Sequence, residues 1–145
     1  MAPGLWLDEV EMSAWRELLR AHAVVMARLD RELEAEHGMS LGEYEVLSFL
    51  SEAADERMRM SELAQQVLIS PSALTRRLDR LARRGWVARE RCPHDARGAF
   101  AVLTPEGRRR LEAAAPTHVR GVRRHLVDRL SRSQLKGLAQ ALARV

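Results

Sequence analysis

From Glu11 to His37 the side chains Trp15, Leu18, Leu19, His22, Val25, Met26, Leu29 and Leu33 recur at three- and four-residue spacing. That period places them on one stripe and predicts a long amphipathic helix. Gly38 supplies the left-handed residue that closes it. Ser40 and Glu43 then have the spacing of a capping box for a second helix, with Tyr44, Leu47 and Leu50 as its apolar positions. Ala53 to Arg57 reads as a polar turn, and Met58 to Met60 as a very short strand. Ser61 is an N-cap candidate for a short helix from Glu62 to about Val67, with Leu63, Ala64 and Val67 inward. Ser70 caps the next helix and Pro71 occupies its first position, where the missing N–H costs nothing. Leu74, Leu78 and Leu81 face inward on it, and Gly85 stops it.

The period then changes. Trp86 to Arg91 reads as a strand, Cys92 to Gly98 as a turn containing Pro93, His94, Asp95 and Gly98, and Ala99 to Leu103 as the return strand. Thr104 and Pro105 open a long fifth helix, in which Pro116 predicts a kink near Glu112 to Ala115. Ser131 and Gln134 box a sixth helix that buries Leu135, Leu138 and Leu142. No repeat, linker or second domain interrupts the 145 residues. The order helix, tight turn, helix, strand, turn, strand is that of a winged helix-turn-helix. The expected fold class is mainly α with a small β-hairpin wing.

Composition narrows the setting. Apolar residues make up 46% of the chain, yet no apolar run approaches the roughly 18 residues that span a bilayer, so no membrane partner is expected. Met1 to Val10 lacks a basic stretch followed by an apolar one, which argues against a signal peptide. Cys92 is the single cysteine, consistent with a reducing cytoplasm. Lys136 is the only lysine among 24 basic residues, a bias that fits GC-rich bacterial coding. The net charge of +4 says little, but its distribution says more. Residues 1–60 carry 13 acidic and 6 basic side chains, whereas residues 70–110 carry 11 basic and 4 acidic. A cationic segment of about forty residues on an otherwise acidic-to-neutral chain is the footprint of a polyanionic partner.

The residue types in that segment suit double-stranded DNA. In helix-turn-helix proteins the second helix enters the major groove with its N-terminal half against the base edges. Here that half carries Ser70, Ser72, Ala73, Thr75 and Arg76. Small hydroxyl residues permit close approach, and an arginine can hold a guanine with two hydrogen bonds. Ser70, at the helix N-terminus, stands beside free backbone N–H groups that favour a phosphate oxygen. Arg77, Arg80, Arg83 and Arg84 extend the positive surface toward flanking phosphates. In the hairpin, His94 lies in the turn and Arg97 stands at a tip that suits a narrow minor groove. Asp95 repels phosphate, but two residues from Arg97 it can fix the guanidinium by an ion pair.

The runs Met60-Ser61-Glu62-Leu63-Ala64, Ser70-Pro71-Ser72-Ala73-Leu74-Thr75-Arg76 and Leu78-Asp79-Arg80-Leu81 lead to Gly85. Asp95-x-Arg97 and Leu103-Thr104-Pro105-Glu106-Gly107-Arg108 follow. With these the chain resembles the MarR family of multiple antibiotic resistance regulators, over essentially its whole length. Two departures stand out: Arg77 where the family usually has an apolar residue, and Ala96 where it usually has an arginine. The resemblance implies a homodimer in which residues 1–38 and 105–145 intertwine and residues 40–104 form the DNA-binding lobe. Spare apolar residues at Leu5, Trp6 and Leu7, and at Leu135, Leu138 and Leu142, support a partner surface independently. Two-fold symmetry would set the recognition helices one DNA turn apart on a pseudo-palindrome. The resemblance further implies a repressor released by a small aromatic effector. Trp15, His22, Tyr44 and His118 are the candidate contacts for it, with ordinary core packing as the alternative for Trp15 and Tyr44.

Other chemistries find less support. Cys92 and His94 supply two soft ligands where a metal site needs three or four, so no metal and no cofactor is expected. His22, His118 and His125 read first as core or interface residues. There is no Gly-rich phosphate loop, metalloprotease helix or nucleophile elbow, which argues against an enzyme. Two alternatives stay open: a redox-responsive regulator acting through Cys92, and a non-specific architectural DNA binder. A helical module whose Arg-rich face meets an acidic protein is a third.

Overall fold

A computed structural model describes residues 4–145, apart from the side chains of residues 95–97. The first helix, α1, spans Glu9–His37 and is about 43 Å long at 1.5 Å per residue. It starts two residues before the predicted point because Asp8 and Glu11 form a capping box, with Glu11 N–H donating to Asp8 Oδ1 at 2.8 Å. It ends where expected, at Gly38 with φ +60. Helix α2 (Leu41–Glu52) has the predicted Ser40–Glu43 box. The turn that follows holds Asp55 and Glu56 at positive φ, and it places β1 at Arg57–Arg59, one residue earlier than expected.

Helix α3 spans Met60–Gln66. Ser61 therefore lies inside its first turn and is not its cap. The N-cap position is Arg59, which makes no side-chain cap, and pairing of β1 with the sheet decides where the helix begins. Helix α4 (Pro71–Arg83) follows, capped by Ser70. Gly85, at φ +74, turns the chain so that Trp86 N–H reaches Leu81 O at 3.0 Å. That bond ties Trp86 to the end of α4, and β2 starts one residue later, at Val87–Cys92.

The return strand β3 spans Asp95–Leu103, four residues longer at its start than predicted. Only Pro93 and His94 form the turn, so most of the expected Cys92–Gly98 loop is strand. Backbone pairing with β2 supplies the order that turn-prone residue types had concealed, and a bulge lies between Arg91 and Cys92. The sheet is antiparallel in the order β1-β3-β2, with Arg57 opposite Val102 and Val87 opposite Leu103. Helix α5 spans Pro105–His125 as one helix with Pro116 inside it. Helix α6 (Arg132–Leu142) has the predicted Ser131–Gln134 box.

One core joins these elements. Leu47, Leu50, Leu63, Leu74, Leu78 and Leu81 are fully covered where α2, α3 and α4 meet the sheet. Only the C-terminal part of α1 enters it, through Leu29 and Leu33. A polar seam fastens that part to α5: His37 Nε2 lies 2.8 Å from Thr117 Oγ1, and buried His125 places Nε2 2.6 Å from Glu32 Oε1. The rest of the α1 stripe is uncovered, with Trp15, Leu18 and Leu19 each about half exposed. Helix α6 buries none of its residues within the chain, contrary to the expectation for Leu135, Leu138 and Leu142. No helix of the described residues is long and apolar enough to cross a membrane.

Candidate nucleic-acid interface

Helix α4 is held by one face. Leu74, Leu78 and Leu81 lock into the core, so at 3.6 residues per turn the opposite face is Ser72, Arg76 and Arg83, with Asp79 at its edge. All three are exposed. Among the described residues neither Arg76 nor Arg83 has a carboxylate partner, and the two stand about 10 Å apart along the helix axis. At the N-terminus, Ser70 Oγ accepts from Ala73 N–H at 3.2 Å and lies 3.2 Å from Ser72 Oγ. Ala73 is half-buried beside them. Thr75 donates its hydroxyl to Pro71 O at 2.9 Å, which leaves the hydroxyl oxygen free to accept.

The remaining arginines of α4 turn another way. Arg77, Arg80 and Arg84 share a flank that faces the corner between α1 and α2. Arg77 is half-buried and lies along Gly42, whose carbonyl accepts from it at 3.4 Å. A Cβ at position 42 would sit 2.5 Å from its guanidinium carbon, so any larger residue there would make the end of the Arg77 side chain shift. Arg84 donates to Gly38 O at 2.7 Å, pairs with Glu43 at 3.5 Å and lies over the Trp86 ring at 4.7 Å. Arg80 pairs with the other oxygen of Glu43 at 3.7 Å. The sequence reading grouped these three with Arg83 as phosphate contacts. Arg83 is exposed without an ion pair among the described residues, whereas Arg80 and Arg84, also exposed, and half-buried Arg77 each contact the protein as well.

In the wing, His94 is exposed at the turn. The side chains of Asp95 and Arg97, and hence the expected ion pair between them, lie outside the described residues. Sequence reasoning missed Arg89 on β2, which donates to Thr75 O at 3.1 Å and pairs with Asp79 at 2.5 Å. It therefore fastens the wing to the recognition helix and neutralises the one carboxylate on that helix. No sequence spacing marks such a pair, because it spans two elements. Cys92 is buried, and Arg59 donates to its Sγ at 3.3 Å. Among the described residues no three His, Cys, Asp or Glu side chains converge as a metal site.

The four candidate effector contacts fall in two places. Trp15 and His22 line an apolar groove of about 710 Å³ between the N-terminal half of α1 and the end of the chain, with Leu18, Leu126, Leu138 and Leu142. Tyr44 and His118 do not reach it. Their rings stack on each other, centroids 4.4 Å apart and 20° from parallel, where α2 meets α5. Burial raises the Tyr44 phenol above its ordinary value, aided by the charge of Glu52, and burial lowers His118. Both rings are therefore uncharged near neutral pH.

Residues 37–98 match the family model of the MarR family. The chain superposes on Sco3205, a MarR family transcriptional regulator from Streptomyces coelicolor crystallised in complex with DNA, with a TM-score of 0.90 and 40% identity. That match covers 95% of this chain and 87% of the other. AbsC, a MarR family transcriptional regulator from the same organism, gives a TM-score of 0.88 at 39% identity, covering 94% and 92%. The transcriptional repressor YetL of Bacillus subtilis is 38% identical over 84 residues, which is 58% of this chain and only half the length of that relative.

Proposed function

Because the chain belongs to the MarR family of transcriptional regulators, we propose that it acts as a homodimeric, sequence-specific DNA-binding repressor rather than an enzyme. The observation that carries this reading is the outward stripe of α4. Ser72, Arg76 and Arg83 are presented on the face opposite a fully buried leucine row, which supports a role for Arg76 and Arg83, without carboxylate partners among the described residues, in the major groove. Ser70, Ala73 and Thr75 shape the close approach at the helix N-terminus. In the wing, Arg97 is assigned to a narrow minor groove and His94 to the adjacent contact, with Asp95 fixing the Arg97 guanidinium and not itself binding phosphate. A chromosomal operator makes the protein cytoplasmic.

The uncovered apolar groove supports the dimer. Leu7, Trp15, Leu18, Leu138 and Leu142 come from both ends of the chain, and a second copy carries the same surface, as a two-fold interface requires. In this reading residues 1–38 and 105–145 form the dimerising half and residues 40–104 the DNA-binding lobe, with half-sites about 34–36 Å apart. Release by a small aromatic molecule is the finest part of the proposal. It rests on the Tyr44–His118 stack, which bridges the lobe and the dimerising half, so that a flat acid inserted there would bear on both.

The test is selection of a duplex from a random library, followed by titration of that duplex and a scrambled one. Wild-type protein is expected to prefer the selected duplex by about 10³ or more. Arg76→Ala is expected to lose about 1–3 kcal/mol on the selected duplex and to relax the preference at one base step per half-site. Equal losses on both duplexes would make Arg76 a phosphate contact. Absence of any preference in the wild type would leave only a non-specific DNA coat.

A further inference from the structure

The charged cluster between the recognition helix and the α1–α2 corner is built around one carboxylate, Glu43. Its side chain is only 5% exposed, and both oxygens are in use. Oε2 accepts from Ser40 N–H at 3.0 Å and lies 3.5 Å from Arg84, while Oε1 lies 3.7 Å from Arg80. Burying a carboxylate is costly unless it is paired and hydrogen-bonded, so the two arginines and the cap are what make this position tenable. The capping box alone would not require burial, since such boxes are usually solvated. Arg84 adds two further anchors, its hydrogen bond to Gly38 O at the end of α1 and its stacking over Trp86. A third bond closes the corner from the other side: Leu41 N–H donates to Asp30 Oδ1 at 2.8 Å. The flank of α4 that carries Arg77, Arg80 and Arg84 is thus joined to the last turn of the helix that, nearer its start, carries the uncovered apolar stripe.

We propose that Glu43 is a positioning residue for DNA recognition: through Arg84 and Arg80 it fixes the angle of α4 against the end of α1, and so sets where Arg76 and Arg83 fall in the groove. The inference rests on the DNA-reading role of α4 proposed above. It assigns Arg84 to the protein frame and not to the DNA backbone. In a dimer made through α1, the same joint transmits the spacing of the two copies to their recognition helices. Glu43 touches no DNA in this arrangement. Its removal therefore acts on the fit of α4 to bases and leaves general attraction to phosphate intact.

Charge counting makes the opposite forecast, which makes the test sharp. Glu43→Gln keeps the capping box, because a glutamine carbonyl can accept from Ser40 N–H, and it removes one negative charge beside a cationic surface. If the carboxylate merely opposes DNA, both duplexes should bind more tightly. If it positions α4, the duplex selected with wild-type protein should bind at least about tenfold more weakly, while a scrambled duplex binds as before or slightly better. Arg84→Lys keeps the charge but loses the planar fork and the stacking. It should reproduce the loss on the selected duplex with an unchanged salt slope, and the Glu43→Gln, Arg84→Lys double variant should be no worse than the weaker single one. Thermal unfolding of each variant, followed by circular dichroism, separates misfolding from mispositioning, and Arg84→Lys carries the test should Glu43→Gln fail to fold. Unchanged or tighter binding of the selected duplex by the variants would overturn the proposal. So would an Arg84→Ala variant that weakens both duplexes equally and lowers the salt slope by about one unit, since that is the mark of a phosphate contact. A wild-type protein with no duplex preference would instead sink the DNA-reading role, and this inference with it.

Discussion

The two ends of α1 have the same apolar period and opposite surroundings. Toward the C-terminus, Leu29 and Leu33 are 2% and 0% exposed, covered by α2 and α5. Toward the N-terminus, Trp15, Leu18 and Leu19 are 51%, 41% and 49% exposed, and the nearby Leu138 and Leu142 of α6 are little better covered. The helix is not weaker at one end, since its capping box stands at the exposed one. What differs is the number of elements that one chain can bring to it. The winged lobe closes its core with α2, α3, α4 and the sheet, whereas the N-terminal half of α1 and α6 leave an apolar groove uncovered. On the homodimer proposed above, stability of the lobe is a property of one chain, and stability of the other half a property of concentration.

The comparison breaks most visibly if core truncations are set beside groove truncations. Leu47→Ala removes a fully buried side chain and should cost about 2–5 kcal/mol in urea unfolding, equally at low and high protein concentration. Leu18→Ala should matter chiefly through assembly, lowering the unfolding midpoint more as the protein is diluted. A concentration-independent loss for Leu18→Ala would mean that the groove is closed within the chain.

A smaller effect sharpens the same contrast from inside the lobe. Leu68, in the turn between α3 and α4, is 90% exposed and has φ +56, a conformation that costs a leucine about 1–2 kcal/mol. Leu68→Gly relieves the strain at an entropic cost of about 0.5–1 kcal/mol, so a net gain of several tenths to about 1 kcal/mol is expected. Thermal melting that shows a loss would mean that Leu68 makes a contact worth more than the strain.

The smallest expected effect tests where the two halves meet. Burial holds His118 below the ordinary histidine value, so the folded chain binds its proton less readily than the unfolded chain does. The stability contributed by neutral His118 is fully present above about pH 6.5 and is lost as the pH falls through the lowered folded value. Wild type should therefore lose stability on acidification by more than His118→Gln does. Parallel pH profiles for the two proteins would show that the ring is open to water and not held against Tyr44.

The features legible in the sequence are those set by neighbours in the chain. Ser40 with Glu43, Ser131 with Gln134, and Ser70 with Pro71 start helices where their spacing says they should. The Leu74, Leu78, Leu81 row assigns the buried face of α4, and with it the outward place of Arg76. The misreadings have the opposite character. Cys92 to Gly98 looks like loop because its residues favour turns, yet pairing with β2 makes most of it strand. Ser61 looks like a cap, yet the sheet contact of β1 starts α3 two residues sooner.

The sequence by itself determined the order of the elements, the faces of the helices and the location of the positive charge. Caps, turns and apolar periods act over three or four residues, and the chain writes them out in order. The tertiary structure alone decided which arginines the protein itself contacts. Arg76, Arg77, Arg80, Arg83 and Arg84 are equivalent in composition, but Glu43, 41 residues before Arg84, claims two of them, and Gly42 leaves the space that a third fills. Ion pairing and close packing depend on distances in space between segments far apart in the chain. No periodicity encodes those distances, nor the groove that α1 forms with α6.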